Sequence, residues 1–195
     1  CIGGDDGEQV SDQCFLLTWN PDLHSLKQEP LPTMPEPFAY GTATSIGDIV
    51  YAACGQSGRS LDSATNRLWR LDLTQSQPEW EVLPSCPGVS RAFNMTVAQH
   101  NGFETCVYVF GGRCKKSNDP SLSVVKPLKD LYEFNPVDNR WRRRADLPNP
   151  LMAGTAVAVG QSHIFALTGA DGSLWLQAEE LKLDHPGFPR RMLAY

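Results

Sequence analysis

The sequence predicts an all-β protein: a partial β-propeller built from repeated four-stranded units. Three observations predict it. A short β-branched and aromatic run ending on glycine, Val107-Tyr-Val-Phe-Gly-Gly112, recurs 57 residues away on either side as Val50-Tyr-Ala-Ala-Cys-Gly55 and Ile164-Phe-Ala-Leu-Thr-Gly169. A second aromatic run follows, Leu131-Tyr-Glu-Phe-Asn-Pro136, which aligns with Phe15-Leu-Leu-Thr-Trp-Asn-Pro21 and Leu68-Trp-Arg-Leu-Asp72. No window of helical length carries a 3.6-residue period; residues 178–183 come nearest and are too short to count against an all-β reading.

Each unit reads in the same order. A small, apolar first strand comes before the glycine-ended run, at 41–46, 93–98 and 154–159. The glycine-ended run is the second strand, and the glycines suit a place where backbones crowd and positive φ is needed. A polar loop leads to the aromatic third strand. An outer strand carries Leu26, Trp80 or Trp141 and closes on Leu31-Pro32, Leu83-Pro84 or Leu147-Pro148. The last unit shows no clear outer strand, and Ile2-Gly3-Gly4 reads as the tail of a further copy. The blade pieces are thus 1–32, 38–84, 91–148 and 152–195. A single twisted sheet buries neither face, so such units stack on their neighbours, with aromatic side chains filling the wedges between them. Four-stranded repeats of roughly 50 residues are the mark of kelch-type propellers, which close with roughly four to eight blades. About three and a half blades are present here, so the expectation is an open part of a larger ring.

Composition excludes several classes. The chain has 195 residues, a net charge of −5 and a pI near 5.3, with enough length to bury a core. The densest basic run, Arg140 with Arg142, Arg143 and Arg144, fits a solvated strand face, so no nucleic-acid partner is expected. No apolar run is long enough to span a membrane, and no N-terminal signal pattern is visible. The six cysteines show no CxxC spacing and the four histidines, at 24, 100, 163 and 185, are scattered; buried thiols are expected, and no metal site or catalytic triad.

Several stretches point beyond the repeat. Ala64-Thr-Asn-Arg-Leu-Trp-Arg-Leu-Asp72, Pro87-Gly-Val-Ser-Arg91, Leu147-Pro-Asn-Pro-Leu-Met-Ala-Gly-Thr155, Gly169-Ala-Asp-Gly-Ser-Leu174 and His185-Pro-Gly-Phe-Pro-Arg-Arg-Met-Leu-Ala-Tyr195 resemble the cyclically permuted mutarotase family of kelch-repeat proteins, related to bacterial N-acetylneuraminate epimerase. The resemblance implies a six-bladed propeller that interconverts the α and β anomers of a sugar acid. It implies acid–base ring opening without cofactor or metal, an arginine on the substrate carboxylate, and a periplasmic or envelope location. The family's acid–base glutamate and arginine are expected in a Gly-Glu-x-x-Pro-Gly-x-Arg segment. Residues 1–195 contain none: Gly7-Glu8 lacks the second half and Pro87-Gly-Val-Ser-Arg91 the first. The catalytic residues are therefore unassigned in this chain.

In a kelch propeller the first strand of each blade lies nearest the axis, and the loops at its start and after the glycine run line one mouth of the channel. Loops so placed carry function. Arg91 is on such a loop and is a candidate for a substrate anion. Asn94 is a candidate channel-facing amide, and Gly154, in Met152-Ala-Gly154, a candidate for leaving ligand space. The plain alternatives are a loop-pinning arginine, a packed amide and close strand contact. Arg59 and Arg113 follow their glycine-ended runs, and Glu179 and Glu180 form the adjacent carboxylate pair nearest a mouth. A non-catalytic kelch propeller binding a protein or sugar ligand at the channel mouth is the alternative function.

Overall fold

The computed structural model describes residues 1–115, 125–174, 177–187 and 192–195. Its strands form four consecutive antiparallel sheets. The first holds β1 (Ile2–Asp5), β2 (Val10–Asn20) and β3 (Ser25–Leu31). The second is a four-stranded meander of β4 (Thr42–Ile46), β5 (Ile49–Ala53), β6 (Leu68–Asp72) and β7 (Trp80–Leu83). In the third, β8 (Met95–His100) and β9 (Thr105–Phe110) pair in turn with β12 (Leu131–Asn135) and β13 (Arg140–Arg143). A small hairpin, β10 (Arg113–Lys115) with β11 (Val125–Pro127), grows from the loop after β9. The fourth holds β14 (Thr155–Val159), β15 (His163–Leu167) and β16 (Met192–Ala194). A one-turn helix, Ala178–Leu181, lies in the connection before β16. Among the described residues no helix is long and apolar enough to cross a membrane.

The first strands lie side by side, β4 against β8 and β8 against β14, as the inner strands of neighbouring propeller blades do. Residues on one strand therefore face two different neighbours. On β9, Cys106, Tyr108 and Phe110 join Ile164 and Ala166 of the next blade, whereas Val107 and Val109 join Tyr51 and Leu68 of the previous one. Both faces are covered, which is why the run is apolar throughout instead of alternating. A third cluster, with Cys14, Met34, Phe38 and Trp69, fills the wedge between the first and second blades.

The recurring Leu-Pro and Trp signals have one geometric meaning. The Trp80 indole donates to the Pro32 carbonyl at 3.0 Å, and Trp141 donates to the Pro84 carbonyl at 2.7 Å. Each outer-strand tryptophan thus satisfies its N–H on the closing Leu-Pro of the blade before it, while its ring packs into the wedge.

Positive φ also recurs blade by blade. The closing glycines Gly55, Gly112 and Gly169 have φ of 85, 90 and 94°. A Cβ on Gly112 would lie 2.7 Å from the Ala92 carbonyl oxygen, so only glycine fits. The residue just before takes φ near 60° even where it is not glycine, at Cys54 and Thr168. A third left-handed position repeats before each first strand, at Tyr40, Phe93 and Ala153.

Candidate functional site

The left-handed residues define the mouth. The Phe93 amide donates to the Tyr40 carbonyl at 2.6 Å and the Ala153 amide to the Phe93 carbonyl at 3.0 Å, so three successive blades are stitched together where their first strands begin. Positive φ is costly for a bulky side chain; here the inter-blade hydrogen bonds and the ring contacts hold it. Tyr40 stacks on Phe93 with centroids 4.9 Å apart and planes 28° apart. The Arg113 guanidinium lies over the Phe93 ring, 4.3 Å from its centroid, a favourable cation–π placement. Burial pulls the Arg113 pKa below its ordinary value.

On the other side of Tyr40 sits a carboxylate. The Tyr40 hydroxyl donates to Asp5 Oδ2 at 2.6 Å, Arg59 Nε donates to the same oxygen at 3.3 Å, and the Gly7 amide donates to Oδ1 at 2.8 Å. The Tyr40 hydroxyl and then the Gly7 amide lead in holding the Asp5 carboxyl below its ordinary range, with Arg59 assisting. The same carboxylate pushes the Tyr40 phenol up. At neutral pH the cluster is therefore an ionised carboxylate, an intact phenol and a guanidinium. Such a surface, with cations and aromatic faces, can hold an anionic ligand with an apolar side.

Of the three leading sequence candidates, Arg91 and Asn94 are buried and Gly154 is half-buried. Arg91 is fully buried. Its Nη1 and Nη2 donate to the two Asp130 oxygens at 2.8 and 2.7 Å, Nη1 also reaches the Gly111 carbonyl at 3.1 Å, and Nε reaches Val89 at 3.1 Å. The expectation that it points into the channel is thus corrected: its fork closes on an aspartate instead of a substrate. Gly88 is required beside it, since a Cβ there would meet Arg91 Nη2 at 2.2 Å. Asn94 is also buried and faces the second blade, not the channel: its amide nitrogen donates to Thr42, Thr96 and the Ala53 carbonyl. At Gly154 a Cβ would lie 3.1 Å from the Leu167 and Thr168 carbonyl oxygens, so close strand contact explains the glycine.

Arg59 and Arg113 do come together at the mouth. Glu180 is exposed, and the side chain of Glu179 and residues 188–191 lie outside the described residues. The basic run near residue 140 is spent locally: Arg142 on Asp138, Arg143 on Asp146, Arg144 on Glu133. The sequence reading missed Asp5, Tyr40 and Phe93. The repeat contained the signal, because Asp5 follows its glycine pair as Arg113 does, and Tyr40 and Phe93 hold equivalent places before their first strands.

The consecutive antiparallel sheets, with their first strands side by side, define the chain as part of a β-propeller. The sequence matches the family described as N-acetylneuraminate epimerase over residues 31–179, and the chain belongs to that family. N-acetylneuraminate epimerase of Yersinia enterocolitica is 29% identical over 148 residues, covering 75% of this chain and 34% of the relative. That of Pasteurella multocida is 30% identical over 145 residues, covering 74% and 34%. The chain thus spans about a third of the length of the curated relatives it matches. A solved structure described as "Structure of YjhT" superimposes with a TM-score of 0.64 at 16% identity, over 82% of this chain and 46% of that one, which shows the shared fold.

Proposed function

We propose that the protein carrying this chain exchanges the α and β anomers of N-acetylneuraminate, with residues 1–195 supplying part of the propeller and one sector of the binding mouth. The observation that carries this reading is the family match across residues 31–179. Exchange proceeds by ring opening and reclosure: one group takes the anomeric hydroxyl proton while another protonates the ring oxygen, and no net charge is transferred. The mouth described above supplies cations and aromatic faces for a sugar acid. Arg91, Asn94 and Gly154 support it from below by holding the loops and first strands that carry Tyr40, Phe93 and Arg113. The acid and the base come from blades other than these, in a Gly-Glu-x-x-Pro-Gly-x-Arg segment of the complete gene product. A periplasmic location accompanies this reading, and cell fractionation checks it.

The test is direct. The complete gene product is expected to speed anomer exchange of N-acetylneuraminate, followed by NMR as transfer between the two anomeric signals. An exchange rate no faster than in buffer, together with measurable binding at the mouth, would replace this reading with a non-catalytic binding propeller.

A further inference from the structure

We infer that Arg59 is the group that takes the substrate carboxylate, presented for that purpose by the Asp5–Tyr40 pair; this rests on the sugar-acid reading above. The inference starts from what each mouth-side arginine does with its fork. Arg91 spends both terminal nitrogens on Asp130. Arg67 turns Nη1 to Glu36 at 3.4 Å. Arg113 has its guanidinium carbon over the Phe93 ring. Arg59 differs from these three. It is held by Nε alone, on Asp5, and neither Nη1 nor Nη2 has a hydrogen bond or ion pair with a described residue. Its side chain is 56% exposed while that of its anchor, Asp5, is 7% exposed. An arginine steered through Nε keeps its two terminal nitrogens, the pair that matches two carboxylate oxygens with parallel hydrogen bonds.

The anchor is well built. Asp5 is the first residue after the glycine pair of its blade, at the end of β1, and Arg59 lies on the loop after β5 of the next blade. The contact therefore crosses between blades. The Tyr40 hydroxyl and the Gly7 amide occupy the carboxylate as well, which fixes its orientation. Tyr40 in turn is set by its left-handed backbone and its stack on Phe93. A loop arginine on a flexible stem would lose much side-chain entropy on binding; one already held at Nε loses less. Tyr40 shares the Asp5 carboxylate with Arg59 and stacks on Phe93, so a sugar acid gripped by Arg59 has these rings nearby.

The experiment uses the complete gene product and two ligands, N-acetylneuraminate and its methyl ester, in which the carboxylate charge is present or removed. Binding is measured by titration calorimetry and exchange by NMR. Arg59→Gln is expected to weaken the acid about 10- to 100-fold, the range for hydrogen bonds to a charged group, while ester affinity changes less than about twofold. Arg59→Lys should restore part of the loss, because it keeps the charge without the fork. Tyr40→Phe keeps the ring stack but unties Asp5, and should weaken the acid more than the ester while leaving the melting temperature near that of wild type. Equal effects of Arg59→Gln on acid and ester, or none on either, would overturn the assignment while leaving the proposed activity standing. A wild-type protein that neither binds nor exchanges N-acetylneuraminate would overturn the activity itself, and this assignment with it.

Discussion

Arg91 shows how one side chain organises a loop from inside. Burial works against its charge and against that of Asp130, yet the paired fork outweighs burial at the aspartate and holds its pKa below the ordinary value of 3.8. Breaking a buried pair strands the remaining charge, so Asp130→Asn or Arg91→Ala is expected to cost about 3–5 kcal/mol, read from the urea midpoint. The pH dependence has a definite sign. Asp130 binds its proton more weakly folded than unfolded, so its contribution is complete above the unfolded value of 3.8 and is lost as pH falls through the lower folded value. Asp130→Asn should flatten that part of the acid limb, in a series of melts from neutral pH to pH 3. The thiols give a second prediction at this scale. Cys1 is exposed, whereas Cys54 and Cys106 are buried, and burial pushes the Cys106 pKa up to about 12. Iodoacetamide at pH 8 should modify Cys1 and leave Cys54 and Cys106 intact until the protein is unfolded, with peptide mass spectrometry as the readout. Buried, widely spaced thiols were legible in the sequence. The burial of Arg91 was not, because its partner Asp130 lies 39 residues away, at the far end of a loop.

At the scale of the element, the glycine-ended strand is the unit that repeats. Its end is a crowded turn where the closing glycine meets the loop feeding the first strand of the next blade: the Gly55 amide donates to the Arg91 carbonyl and the Gly112 amide to the Leu151 carbonyl. Gly112→Ala meets both a positive φ and a carbonyl 2.7 Å away, and about 1–3 kcal/mol of strain is expected from such a position, as a lowered melting temperature. Trp141→Phe keeps most of the ring but drops the bond to Pro84; the cost should be about 1 kcal/mol for the hydrogen bond, plus whatever area the smaller ring leaves uncovered. The strands themselves were readable because β-branched and aromatic residues cluster in short runs bounded by glycine and proline. The hairpin of β10 and β11 was not. It has only three residues on each strand, and its sequence reads as polar loop.

The whole molecule is a row of blades with an apolar face at each end. Leu16, Leu17, Trp19 and Leu26 are exposed on the first blade, and Val157, Val159 and Met192 on the last. Exposed apolar surface of this extent seeks cover. The polypeptide of residues 1–195 alone is therefore expected to bind the dye ANS and to associate, with Trp19→Lys and Leu26→Lys reducing both; a chain that stays monomeric and dark in ANS would show these faces to be covered in some other way. The amino-acid sequence alone determined the repeat, the order and near-limits of the strands and the propeller fold, because each of these is written in local spacing: apolar period, glycine stops and Leu-Pro closures; the family showed as a resemblance carried by stretches such as Pro87-Gly-Val-Ser-Arg91 and His185-Pro-Gly-Phe-Pro-Arg190. Tertiary structure decided which charges are available. Arg59 and Arg91 look alike along the chain, each following a glycine-containing turn. The folding of one blade brings Asp130 onto Arg91 and buries it, whereas the stacking of blades brings Asp5 onto Arg59 by its Nε and leaves that side chain exposed. The cost of burying a charge depends on partners that are distant in sequence, so the same residue type becomes a buried loop pin in one place and an exposed guanidinium in the other.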